Sequence, residues 1–179
     1  MYGNLLSVVL PDGRTVEYEV DGAGRRVGRR VLSESGTELE YRGWIYRDLL
    51  RPIAEVDSAG NVVARYVYDD GAGSKQNGAH QLATRLGANQ DTSLPFEGEN
   101  VPDFIELLDG SAVTARYRLI KNQVGTVLAV VDATSGEVAQ RIEYDEFGRV
   151  LYDSAPGLQP FGFAGGLYDA DTGLVRGCG

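Results

Sequence analysis

The sequence predicts an all-β protein: repeated antiparallel β-hairpins that pair side by side into a curved, spiralling sheet. Three observations predict it. Apolar and polar residues alternate with period two, glycine-bearing turns recur at short intervals, and the strand–turn–strand unit repeats at about 20 residues. One hairpin is marginal in water, so such units must pair with their neighbours to satisfy their backbones and bury one face.

The elements follow in order. Leu5-Leu6-Ser7-Val8-Val9-Leu10 is an uncharged apolar run that stops at the turn sequence Pro11-Asp12-Gly13-Arg14. Thr15-Val16-Glu17-Tyr18-Glu19-Val20 alternates β-branched or aromatic residues with acidic ones, then meets Asp21-Gly22-Ala23-Gly24. Arg25 to Leu32 reads as the returning strand. Ile53-Ala54-Glu55-Val56-Asp57 and Val62-Val63-Ala64-Arg65-Tyr66-Val67-Tyr68-Asp69 flank Ser58-Ala59-Gly60-Asn61. Val127-Leu128-Ala129-Val130-Val131-Asp132 and the run from Glu137 to Asp145 flank Ala133-Thr134-Ser135-Gly136. Glu146-Phe147-Gly148-Arg149 then leads into Val150-Leu151-Tyr152-Asp153. The rhythm divides the chain into hairpins over 1–70, a polar interval over 71–100 and further hairpins over 101–179. The interval is polar and poor in β-branched residues and reads as an insertion or long loop, with a short helix near Ala79 to Leu86 and the first protease cuts expected inside it.

Composition narrows the function. The chain has 179 residues, 42% of them hydrophobic, enough for one domain with a modest core. Its 24 glycines have no three-residue period, which excludes a collagen-like chain. A net charge of −9 argues against nucleic acid and against anionic membrane surfaces. No apolar run reaches the roughly 18 residues of a membrane helix, so membrane insertion is not expected. The first residues lack the basic and apolar regions of a signal peptide. With one cysteine (Cys178) and one histidine (His80), neither an internal disulfide nor a His/Cys metal cluster can form within the chain. No cofactor is implied.

A motif recurs within the hairpins: tyrosine, aspartate either next to it or after a short spacer, two residues, then glycine and a basic residue. It stands at Tyr18, Asp21, Gly24 and Arg25, and again at Tyr144, Asp145, Gly148 and Arg149. The tail is more specific: Pro160-Phe161-Gly162-Phe163-Ala164-Gly165-Gly166-Leu167-Tyr168-Asp169-Ala170-Asp171-Thr172-Gly173. Motif and tail resemble the YD repeat of Rhs proteins and the opening of the Rhs-associated core, whose relatives include teneurins and the C subunits of insecticidal toxin complexes. The resemblance covers nearly the whole chain and is firmest from Tyr117 to Arg176.

The resemblance implies a spiral of hairpins closing into a hollow shell around a toxic domain carried at the C-terminus of the same chain. It implies a larger protein, secreted or at the cell surface. Its partners would be toxin cargo, the rest of the repeat shell and a secretion-system component. The family's self-cleavage segments follow the matched tail and find no counterpart before Gly179, so the chain reads as a truncated piece and no enzyme activity is expected.

Other chemistries weigh less. Asp169 and Asp171 invite an aspartic-dyad reading, yet their spacing beside Thr172 and Gly173 suits a hairpin turn. Asp57, Asp69 and Asp70 lack calcium-loop spacing. Ser33, Ser35 and His80 stand in no nucleophile-elbow motif. Arg25, Arg26, Arg29 and Arg30 read as solvated or tyrosine-stacked cations. Trp44 and Tyr46, in the richest aromatic cluster, are the candidate residues for carbohydrate binding. An adhesion or sugar-binding module on the same hairpins is therefore the alternative, although sheet packing is the commoner reason for such aromatics.

Overall fold

The structure is a computed structural model that describes residues 4–68 and 100–176. It is all-β. Eleven strands form one sheet in strict chain order: β1 (Ser7–Val9), β2 (Thr15–Val20), β3 (Arg26–Leu32), β4 (Glu38–Tyr46), β5 (Pro52–Val56), β6 (Val62–Val67), β7 (Phe104–Asp109), β8 (Ala112–Lys121), β9 (Val127–Asp132), β10 (Val138–Tyr144) and β11 (Val150–Asp153). A 3₁₀ turn (Phe163–Gly165) leads to a separate hairpin, β12 (Leu167–Asp169) with β13 (Leu174–Arg176). Every pairing is antiparallel.

The alternation seen in the sequence sorts the two faces. On β2, Val16 and Tyr18 are buried, while Glu17 and Glu19 face outward. On the outer face Arg30 reaches Glu17, Glu19 and Glu38 at 3.7, 3.0 and 2.8 Å. These exposed pairs contribute little stability each, but they keep that face charged and soluble.

Register shifts by one residue beside most turns, for example between Glu19 and Val20 and between Glu143 and Tyr144. Each shift is a bulge, and bulges raise local twist and bend a sheet. The bending is visible in the core. Trp44 of β4, Tyr66 of β6, Leu119 of β8 and Ile142 of β10 join one buried cluster with Phe161 and Leu167 of the tail. Six strand spacings separate β4 from β10, about 29 Å in a flat sheet. One shared core requires that the sheet curl around the tail. A smaller cluster of Leu10, Val16, Tyr18 and Val31 lies at the β1 end.

Several boundaries differ from the sequence reading. The first strand shortens to Ser7–Val9 because the Leu10 N–H donates to the Arg14 carbonyl at 2.8 Å, which commits it to the turn. The strands β7 and β8, whose patterns are less regular, complete the sheet. The expected loop and helix within 71–100, together with Asp69, Asp70, His80 and Cys178, lie outside the described residues. Across that interval β6 pairs directly with β7, Val67 opposite Phe104. The sheet's edges are β1 and β11. At the first, Leu5, Leu6 and Val9 are exposed.

Candidate functional site

The recurring motif is a five-residue turn. At Asp21, the carboxylate accepts the N–H groups of Ala23 and Arg25 at 3.0 and 2.9 Å and the Arg25 Nε–H at 2.7 Å. The Gly24 N–H donates to the Asp21 carbonyl at 3.0 Å, and Gly24 takes a φ of +80°. Aspartate thus satisfies donors that the hairpin end would leave bare, and glycine supplies the left-handed conformation. Asp57 and Asp145 repeat the scheme with Gly60 and Gly148. Asn122 and Ser33 take the aspartate's place before Gly125 and Gly36. The Arg25 hydrogen bond lowers the Asp21 pKa, and the Asn61 hydrogen bond lowers that of Asp57. Arg149, the basic residue of the second motif, is exposed.

The motif tyrosines point inward, to the tail. Tyr18 donates its hydroxyl proton to Asp169 Oδ2 at 2.7 Å, across 151 residues of chain. Its hydroxyl also lies 3.0 Å from Thr172 Oγ1. Burial pushes the Tyr18 pKa up to about 12, so it remains a donor. Tyr144 packs against Phe163, ring centres 6.4 Å apart. Phe163 in turn lies over Gly148, where an added Cβ would come 2.4 Å from the ring.

Asp169 is the anchor of this arrangement. Its side chain is fully buried, and Arg29 donates from Nε to Oδ2 at 2.8 Å and from Nη2 to Oδ1 at 3.3 Å. Burial pushes the Asp169 pKa up, but hydrogen bonds from Arg29 and Tyr18 pull harder, and the net shift is downward. Tyr18 and Arg29 are cross-strand partners on β2 and β3, so one rung of the sheet presents both donors. Arg29 also pairs with Asp171 and with Glu40, and Arg14 pairs with Asp171 at 3.0 Å. The Asp169 carboxylate still makes its turn, accepting the Asp171 N–H at 3.0 Å, and the Gly173 N–H donates to the Asp169 carbonyl at 2.8 Å. The turn reading of Asp169 and Asp171 therefore holds. Arginines clamp both carboxylates, an ion-pair arrangement and not that of two acids sharing one proton.

Close packing fixes the rest of the tail. Phe161 is buried with its ring edge-on to Tyr66 at 5.1 Å. The Pro160 carbonyl accepts the Tyr168 N–H at 2.8 Å. A Cβ at Gly165 would meet Val101 Cγ2 at 2.6 Å, and one at Gly166 would meet Val175 Cγ1 at 2.5 Å. These glycines are there for close approach. Gly148→Ala is expected to cost about 2–4 kcal/mol, from the left-handed backbone plus overpacking against Phe163. Gly60→Ala, where a Cβ meets nothing within 4 Å, is expected to cost only about 1–2 kcal/mol, from the backbone alone. Urea unfolding of the two variants separates the contributions.

One expectation, on Arg29, is corrected. Arg29 is neither solvated nor tyrosine-stacked: it is 7% exposed and ion-paired, because strand alternation turns it inward while Arg30 turns out. Stacking does hold for Arg26, whose guanidinium lies 4.0 Å from the Tyr18 ring centre, and for Arg25 over Tyr46 at 4.9 Å. Trp44 is 6% exposed within the core cluster. Sugar stacking needs an open ring face, which a core indole lacks. Tyr46 is half-buried beneath Arg25, with its hydroxyl donating to the Arg26 carbonyl at 2.9 Å. Trp44 thus packs in the core, whereas Tyr46 packs beneath Arg25 and also lines a cavity beside the β2–β3 turn. Sequence reasoning missed Arg29 and Thr172 as partners of Tyr18 and Asp169; the only signal was Arg29 lying opposite Tyr18 once the hairpin register was drawn.

The chain is thus a sequential meander of hairpins, with one turn type recurring along it and a returning tail held on its face. Residues 106–178 match the family model described as the Teneurin YD-shell. The chain is similar to teneurin-1 of Gallus gallus and of Homo sapiens, 30% identical over 165 residues and covering 92% of this chain in each case. It is 26% identical over 165 residues to teneurin-3 of Danio rerio. The chain spans 5% of the length of each of these relatives. The likenesses support a YD-repeat shell, a structural module, without singling out the Rhs branch.

Proposed function

We propose that this chain is a stretch of the wall of a YD-repeat shell, and that the shell encloses a toxin carried on the same polypeptide for delivery to competing cells. The supporting observation is the unbroken strand order from β1 to β11, curled about the tail, with an edge at either end for further hairpins. A sheet of this kind hides its edges by continuing, and exposed Leu5, Leu6 and Val9 suit a paired neighbour better than water. The partners are then the remaining repeats, the cargo and the secretion-system component that carries the shell outside the cell.

The test uses the full-length protein. Electron microscopy is expected to show a hollow particle, and cargo inside it should resist a protease that digests the free cargo. An extended rod, or cargo cut as fast inside as outside, contradicts encapsulation. Glycan binding by a particle that leaves its cargo unprotected would favour the adhesion reading instead.

A further inference from the structure

Arg26 stands apart from its neighbours. It is 5% exposed, and its Nε is buried with no hydrogen-bond partner. Among the described residues no carboxylate pairs with it. Tyr18 offers only a ring face, and both oxygens of the nearby Asp169 are already taken by Arg29 and Tyr18. Burial lowers the Arg26 pKa, as expected of a cation without a counter-ion. An unpaired buried charge is costly, and a cation–π contact offsets only part of that cost.

Arg26 lines a half-open cavity of about 830 Å³ between the β2–β3 turn, the β4–β5 turn and the tail hairpin. That volume falls within the range of small-molecule sites, about 300–1,000 Å³. The other charged residues of the lining are engaged. Arg25 is held by Asp21 at 2.7 Å, and Arg176 donates to the Gly24 carbonyl and to Asn4. Leu49 and Leu174 also line the cavity and are exposed, at 58% and 40%.

We propose that this cavity binds a carboxylate on an apolar chain, its head on Arg26 and its chain against Leu49 and Leu174. A planar guanidinium takes a carboxylate through two parallel hydrogen bonds. Among the described residues of the lining, one cation without a carboxylate partner matches one negative charge. A phosphate dianion would need a second, and Arg25 and Arg176 are already committed. The apolar rim selects an amphiphile over a bare anion. The proposal is independent of what the shell encloses.

The experiment is calorimetric titration of the whole chain with octanoate, octanol and acetate. Octanoate is expected to bind saturably, with octanol and acetate at least about tenfold weaker. Arg26→Met should weaken octanoate by at least about tenfold while melting at or above the wild-type temperature, because the unpaired buried charge is gone. Leu49→Glu, a change at an exposed position, should also weaken octanoate, by repulsion. Octanoate binding that survives Arg26→Met and Leu49→Glu, or equal binding of octanol, overturns the proposal. So does an absence of binding.

Discussion

Asp169→Ala is expected to destabilise the protein by about 2–4 kcal/mol, because it removes the fully buried partner of Arg29 and of the Tyr18 hydroxyl, while the partly exposed Asp171 and Glu40 compensate Arg29 only in part. The loss should exceed that of any single outer-face pair, such as Arg30 with Glu38, where solvent screens the charges. The pH dependence follows from the downward shift of Asp169. Its unfolded pKa is about 3.9, and the folded value lies below that. Protons therefore bind the unfolded chain more readily, and the stability this group contributes is present above the unfolded pKa. It is lost as pH falls through the folded value. Asp12, Asp21, Asp57 and Asp132, also shifted down by their turn hydrogen bonds, act in the same direction. Wild-type protein should lose stability steeply below about pH 4. Asp169→Asn should be less stable at neutral pH and show a shallower acid slope, measured by urea unfolding at a series of pH values.

Phe161→Ala is expected to cost about 3–5 kcal/mol. Phe161 is 1% exposed, sits edge-on to Tyr66, and joins the tail to the larger core cluster, which draws on β4 and on β6 to β10. Its removal leaves a cavity in that core. Tail amides should lose protection from hydrogen exchange before those of β8 and β9. A loss below about 1 kcal/mol, the range of an ordinary surface change, would show that the tail does not hold the curl.

What was legible in the sequence was local. Asp21 with Gly24, and Asp145 with Gly148, announce their turns because an aspartate carboxylate and a left-handed glycine act within five residues. The alternation Thr15 to Val20 sorts that strand's faces for the same reason. What was not legible was long-range. Arg29 and Asp169 lie 140 residues apart, and nothing in either neighbourhood names the other. Asp169 read correctly as a turn residue, and that reading concealed its second duty. Trp44 was visible as part of an aromatic cluster, but whether its ring met sugar or core depended on how far the sheet curls. The curl comes from bulges summed over many strands, which no single segment displays.

Arg29 and Asp169 lock the tail to the sheet. A double-mutant cycle with Arg29→Met and Asp169→Leu tests this directly by urea unfolding. Each single variant takes the fully buried ion pair from its partner, leaving Arg29 only the partly exposed Asp171 and Glu40 or leaving Asp169 only neutral donors, whereas the double variant removes both groups. The expected result is that the double variant is more stable than either single one, with a coupling above about 1.5 kcal/mol. Additive losses, with coupling near zero, would mean that the two residues do not meet and that the tail does not lie where this structure places it.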